Sequence, residues 1–392
     1  MYSLAMELRD NFDIKLSVCT VYSGNDLQIH KIEGITYYLL PQSRLNTKYD
    51  RSLEPFWKLI VDDFNPDIIH IHGTEYAHGL ASMNACPSLR FVISIQGMVG
   101  VYYHFYYAGI RLLDIIRHLT FNDLRKKNSI LDGKKDFWHK GKIENEYLRK
   151  TQHIIGRTSW DFAHVKAVNP SVSYHLCNEV LRRSFYESTK WGLALKTDFS
   201  IFISQAGYPI KGLHQVLKAL PIVKSYYPNT KLRIAGPDIT RSSTIREKIN
   251  IGGYGAYLSS LLDELNLRSY VTFLGPQDEA QMIREYQNAH VFVCPSSIEN
   301  SPNSVGEAQI IGTPCIASYV GGVPDMITDE ETGLLYRFED HVMLAFKIIR
   351  VFEDEMLAVH ISQNGQAVAE KRHNSGFIGT QMQDIYSKII AI

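Results

Sequence analysis

Glu299 and Glu307 are separated by seven residues in the stretch Cys294–Val323, CPSSIENSPNSVGEAQIIGTPCIASYVGGV. Carboxylates accept hydrogen bonds from sugar hydroxyls, and the free backbone N–H groups of a helix's first turn carry partial positive charge that holds phosphate oxygens. A nucleotide sugar needs both. Each acid also has an ordinary explanation. Ser304-x-x-Glu307 reads as a capping box, and Glu299 as a solvated loop acid. The Gly321-Gly322 turn after the next strand-like run adds a third feature that neither explanation requires.

The elements that must position these residues are legible around them. Val291–Val293 predicts a short buried strand, and Val305–Ile311 a helix closed by Gly312 and Pro314, so the acidic pair falls at a strand-to-helix turn. Open parallel sheets bind ligands at such turns. Further strands are expected at Ile14–Val21, Ile35–Leu40, Ile68–Ile71, Phe91–Ile95 and Val172–Cys177, with a helix over Ser52–Asp63. A second series begins at Phe199–Ile203 and continues through Leu232–Ala235, Val271–Leu274, Val291–Cys294 and Pro314–Ala317. Alternation of this kind predicts an α/β protein with two parallel-sheet units. Ile378, Met382, Ile385, Tyr386 and Ile389 share one face of a final helix, Phe377–Ile390, which must dock on an apolar surface.

Composition narrows the classes. The chain has 392 residues, room for two domains, and 41 basic against 41 acidic side chains, so no overall field points to nucleic acid. The five cysteines are widely spaced without a Cys-x-x-Cys, which favours reduced, packed thiols in the cytoplasm over disulfides or zinc. No apolar run approaches the ~18 residues that span a bilayer, and Met1 opens no signal-peptide pattern.

The segment Glu299, Glu307-Ala308, Gly312-Thr313-Pro314 and Gly321-Gly322 resembles the donor-site signature of the retaining family-4 glycosyltransferases of the GT-B fold. The resemblance implies two Rossmann-like domains facing across a cleft, with an acceptor-side domain over 1–185, a nucleotide-sugar domain over 186–375, and a terminal helix over 376–392 crossing back to the first. It implies that Glu299 approaches the transferred sugar, that Glu307 binds the ribose, and that the backbone around Asn303 and Ser304 contacts the diphosphate. Lys211-Gly212, between the strand Phe199–Ile203 and a helix over Leu213–Tyr226, matches the family's basic loop, in which an Arg and a Lys-Gly pair neutralise the leaving group. The Arg falls near Ala206, so one positive charge is missing. A solvated lysine at a helix start is the alternative.

In the first half, His70 and His72 lie on one face of a strand, since strand side chains alternate. A metal pair lacks a third ligand nearby, and the family's Asp-x-x-His-x-His run suggests that His72 lines the acceptor site. Gln96-Gly97 aligns with a strand ending in His-Gly in the family. A neutral amide can donate to a sugar hydroxyl but cannot carry a proton as His does, and a polar strand-end residue explains Gln96 equally well. Arg157, Glu179 and Arg182 line the interdomain approach in the same layout, or form ordinary linker ion pairs. Family members begin with a strand and a Gly-Gly loop ahead of the first helix, here Tyr2–Asn11; neither precedes it, which implies a first domain lacking its first strand.

The expected activity is metal-independent retaining transfer of a sugar from a nucleoside diphosphate sugar to a glycan or polyprenyl-linked glycan hydroxyl in surface polysaccharide synthesis, with no cofactor. Catalytic roles fall to Glu299, Lys211 and Gln96, and binding roles to Glu307, Asn303, Ser304, Gly212, His72 and Gly97. A GT-B phosphorylase, an epimerase and a non-catalytic nucleotide-sugar binder remain as alternatives. Eleven Lys or Arg against six acids between Arg111 and Lys150 follow the aromatic cluster Tyr102–Tyr107. They suit peripheral contact with an anionic membrane through 102–150, at its inner face, or else form a solvated helical face.

Overall fold

The structure, a computed structural model, describes residues 2–12, 14–42, 49–241 and 244–391. Contacts group the chain into two units. One comprises Met1–Val101, Phe137–Val180 and His373–Ile392; the other comprises Tyr102–Asp136 and Leu181–Arg372. Tyr102–Asp136, expected within the domain over 1–185, groups with the second unit. His214, buried at the start of a second-unit helix, shares a hydrogen bond of 2.8 Å with the Ala108 carbonyl, and Ser297 donates to the carbonyl of Phe105.

Among the described residues the first unit holds seven strands: β1 (Ser17–Tyr22), β2 (Gln28–Ile32), β3 (Ile35–Pro41), β4 (Ile69–His72), β5 (Phe91–Ser94), β6 (His153–Gly156) and β7 (Ser173–Leu176). β4 to β7 form a parallel sheet in sequence order. β1 pairs in parallel with β3, and β3 pairs antiparallel with β2 across the Glu33-Gly34 turn, whose residues both have positive φ. That is the backbone a two-residue hairpin requires. β2 is exposed at every position, so no apolar alternation marks it in the sequence. Among the described residues β1 and β4 each pair along one edge only. The final helix, Ser375–Ile390, sets Ile378, Met382, Ile385 and Ile389 into a core with Leu4, Leu8, Val92 and Ile155.

Among the described residues the second unit is built on six parallel strands: β8 (Ser200–Ile203), β9 (Lys231–Ile234), β10 (Val271–Phe273), β11 (Val291–Cys294), β12 (Cys315–Ser318) and β13 (Leu334–Tyr336), in the order β10-β9-β8-β11-β12-β13. β8, β11, β12 and β13 are buried throughout, as continuous apolar runs between covering helices should be. From β8 the chain adds strands to one side, then returns to place β11 on the other. The order therefore reverses between β8 and β11, and ligands bind outside the carboxyl ends of strands at such a point.

One carboxylate fixes the strand-end loops of the first unit. Glu144, on the helix Ile130–Lys150, is 1% exposed and accepts from the Thr74 hydroxyl and from the backbone N–H groups of Val99 and Gly100. Burial raises its pKa to about 7 against the hydrogen bonds it accepts, and Glu75 pushes in the same direction. A carboxyl held more protonated in the folded state than in the unfolded chain contributes stability below about pH 4.5 that is lost as pH rises through about 7. The difference in stability between wild type and Glu144→Gln should therefore change by roughly 3 kcal/mol between pH 4 and 8, with the wild type losing relative ground as pH rises. Parallel denaturation curves across that range would measure it, and a flat difference would remove Glu144 as the titrating group.

Candidate active site

Two loops meet at the reversal point of the second sheet. The loop after β8 ends in the short 3-10 turn Pro209–Lys211 and passes through Gly212, at φ 69°, into the helix Leu213–Tyr226. The loop after β11 runs from Pro295 to the helix Asn303–Ile311. They are fastened to each other, because the Ser297 N–H donates to the Ile210 carbonyl at 2.7 Å, and a Cβ on Gly212 would overlap the Pro295 carbonyl oxygen. Gly321 closes the opposite flank. A Cβ there would overlap the carbonyl oxygen of Glu299, to which the Gly322 N–H donates.

This arrangement brings Lys211 and Glu299 together. Lys211 Nζ lies 2.6 Å from Glu299 Oε1, and the Ser296 hydroxyl donates to the same oxygen at 2.7 Å. The Lys211 and Glu299 side chains are only 19% and 10% exposed, so the pair is little screened by water. Burial works against the Lys211 charge, but Glu299 and Tyr208 outweigh it and raise its pKa, keeping it cationic at neutral pH.

Glu307 lies on the helix Asn303–Ile311 that follows this loop. Arg182 Nη2 lies 2.7 Å from its Oε1, and Tyr286, whose hydroxyl also donates to the Ser304 carbonyl, contacts its other oxygen at 3.4 Å. Burial raises the Glu307 pKa while Arg182 pulls it down. The capping box expected from Ser304-x-x-Glu307 does not form. The helix starts one residue before Ser304, on a Pro302 cap without a side-chain hydrogen bond, and the Glu307 carboxylate turns to Arg182. Asn303 is exposed and Ser304 half-buried in that first turn. Sequence reasoning underrated Arg182, since the 125 positions between it and Glu307 carry no local signal.

In the first unit, His72 and His70 stack at 3.9 Å between ring centres. Burial lowers both, His72 to about 4, so the imidazoles are neutral at pH 7. The two His70 nitrogens are occupied by Tyr386 and Ser94, and among the described residues no cluster of three metal-ligating side chains occurs. Gln96 follows β5, and its side-chain oxygen accepts from Arg157 at 3.2 Å. Arg157 is 5% exposed, bonds the carbonyls of Ile95 and Gln96, and pairs with Glu179 at 3.1 Å. With the oxygen held, the Gln96 amide NH₂ is the group turned to a donor role, and Gly97 follows it half-buried. Arg157 and Glu179 thus serve the first unit, while Arg182 serves the second.

Residues 186–368 match the family model described as Glycosyl transferases group 1. Similar curated proteins include the capsular polysaccharide biosynthesis glycosyltransferase CapM of Staphylococcus aureus, 28% identical over 46% of this chain and 43% of its own length. The D-inositol 3-phosphate glycosyltransferase of Corynebacterium glutamicum is 25% identical over 61% of this chain and 55% of its own. The chain spans about half the length of the curated relatives it matches. Among solved structures, sucrose-phosphate synthase from Thermosynechococcus elongatus superposes with a TM-score of 0.74 over 99% of this chain and 92% of that one, at 20% identity. Anabaena HepE, in complex with UDP and glucose, superposes with a TM-score of 0.63 over 91% of this chain and 87% of that one, at 16% identity. The shared fold is that of the GT-B glycosyltransferases.

Proposed function

We propose, because residues 186–368 match the glycosyl transferases group 1 family model, that this protein transfers a sugar from a nucleoside diphosphate sugar to a hydroxyl of a glycan or polyprenyl-linked glycan, with retention at the anomeric carbon. The observation that carries this reading is the Lys211–Glu299 pair at the reversal point of a parallel sheet, in the loop that leads into the helix carrying Glu307. Departure of the nucleoside diphosphate leaves charge on the phosphate oxygens, and groups aimed at that charge lower the barrier most. Lys211 and the first-turn backbone at Asn303 and Ser304 would receive the phosphates, Glu299 the transferred sugar and Glu307 the ribose. Lys211 is paired with Glu299 and Arg182 with Glu307, so a bound donor would offer hydroxyls to the carboxylates and phosphates to the cations. Gln96 would donate its amide N–H from the acceptor side, beside Gly97 and His72.

The leaving group needs no metal in this scheme. Turnover should be unchanged by a chelator, measured as nucleoside diphosphate release with and without EDTA, and loss of activity restored by a divalent ion would overturn that part. The stereochemistry is read from the anomeric coupling of the first-formed product; inversion would end the retaining assignment. A second reading, nucleotide-sugar binding without turnover, draws on Ala206 and Gln96, where the resembled family has Arg and His. Calorimetry showing donor binding by a protein that turns over no donor would favour it. Association with a cytoplasmic membrane face through 102–150 belongs to the same proposal, as does a place in surface polysaccharide synthesis.

A further inference from the structure

The short helices Leu112–Arg117 and Phe121–Lys126 reverse the usual order of a surface helix. Their inward side carries Ile115, Asn122 and Asp123, each 3% exposed or less, and rests on the helix Gly253–Glu264. Asp123 there accepts from the Gly253 N–H at 3.1 Å, and the His118 ring meets Tyr257. The outward side is apolar. Leu112, Leu113, Ile116, Phe121 and Leu124 are 51–77% exposed, with Leu119 at 37% between the helices. Soluble surfaces seldom gather so many large apolar side chains in so short a stretch.

Charge is sorted in the same sense. Arg111, Arg117, Arg125, Lys126 and Lys127 are all exposed. The acids of the stretch are engaged elsewhere, Asp123 buried as a helix cap and Asp114 paired with Arg111 at 2.8 Å. We propose that this helix pair is the face by which the protein lies on an anionic bilayer, with Leu113, Phe121 and Leu124 entering the interface and the cations meeting lipid phosphates. A second copy is a poor occupant, because a self-complementary contact would set this row of cations against itself. A surface of this kind deepens the function proposed above, since a polyprenyl-linked acceptor is presented in the same plane. It narrows the basic stretch from 102–150 to 111–127.

The test uses the full chain with sedimenting vesicles of phosphatidylcholine, alone or with about one third phosphatidylglycerol. Each cation near the lipid strengthens binding about fivefold, so the anionic vesicles should bind at least tenfold more tightly. The triple variants Leu113→Ser/Phe121→Ser/Leu124→Ser and Arg125→Glu/Lys126→Glu/Lys127→Glu change exposed positions only and should each lose tenfold or more. Equal binding by wild type and both variants, no binding to either vesicle, or a solution dimer abolished by the serine variant would each overturn the proposal. Calorimetry with nucleoside diphosphate on the wild type separates the two readings. Absence of nucleotide binding by a protein that binds the anionic vesicles would count against the transfer function alone.

Discussion

Lys211→Ala should reduce sugar transfer about 10²–10³-fold, the loss seen when a preorganised group facing transition-state charge is removed. It should also destabilise the protein by about 3 kcal/mol, because Glu299 is then left as a buried charge without its partner. The two effects can be separated. Lys211→Met/Glu299→Gln removes both charges from a site where the side chains are 19% and 10% exposed, and replacing a buried pair with neutral groups of similar volume costs little. The double variant should melt near the wild type while transfer stays lost. Recovery of transfer along with stability would show that the pair only holds the loops. Unchanged transfer in Lys211→Ala would remove the site assignment outright.

Gly212→Ala should cost about 3 kcal/mol, which for a unit of this size lowers the melting temperature by roughly 6–12 °C. Two causes add. At φ 69° any side chain is strained, and the new Cβ would overlap the Pro295 carbonyl oxygen, a backbone atom that cannot rotate away. Relief requires the loops after β8 and β11 to separate, which would carry Lys211 away from Glu299. Activity should therefore fall more than the lost folded fraction accounts for, as activity per folded molecule at 15 °C would show. A variant with wild-type stability and rate would contradict the contact.

The acidic loop was readable because its residue types are scarce and closely spaced, and because the strand Val291–Cys294 and helix Leu213–Tyr226 carry unbroken apolar patterns. What depended on distant pairing was not. Arg182 reaches Glu307 across 125 positions, and Arg157 holds Gln96 across 61. No local pattern records either. β2 escaped notice because none of its residues is buried, and β13 because three buried residues are too few to show a period. The path of Tyr102–Asp136 into the second unit rests on contacts such as His214 with Ala108, which become visible only in the folded chain. The capping box shows the reverse case, a local motif that a tertiary ion pair displaced.

The three-stranded sheet of the first unit has a consequence for handling the protein. β1 and β2 both present ladder positions that no described strand occupies, and Ile29 and Ile32 on β2 are half-exposed. Unpaired backbone donors and acceptors beside apolar side chains are a template for edge-to-edge association. Lys31, between those isoleucines, is the charge that opposes it. Concentrated samples should be most prone to aggregate through this small sheet, and Ile29→Lys or Ile32→Lys is the change that should keep them dispersed.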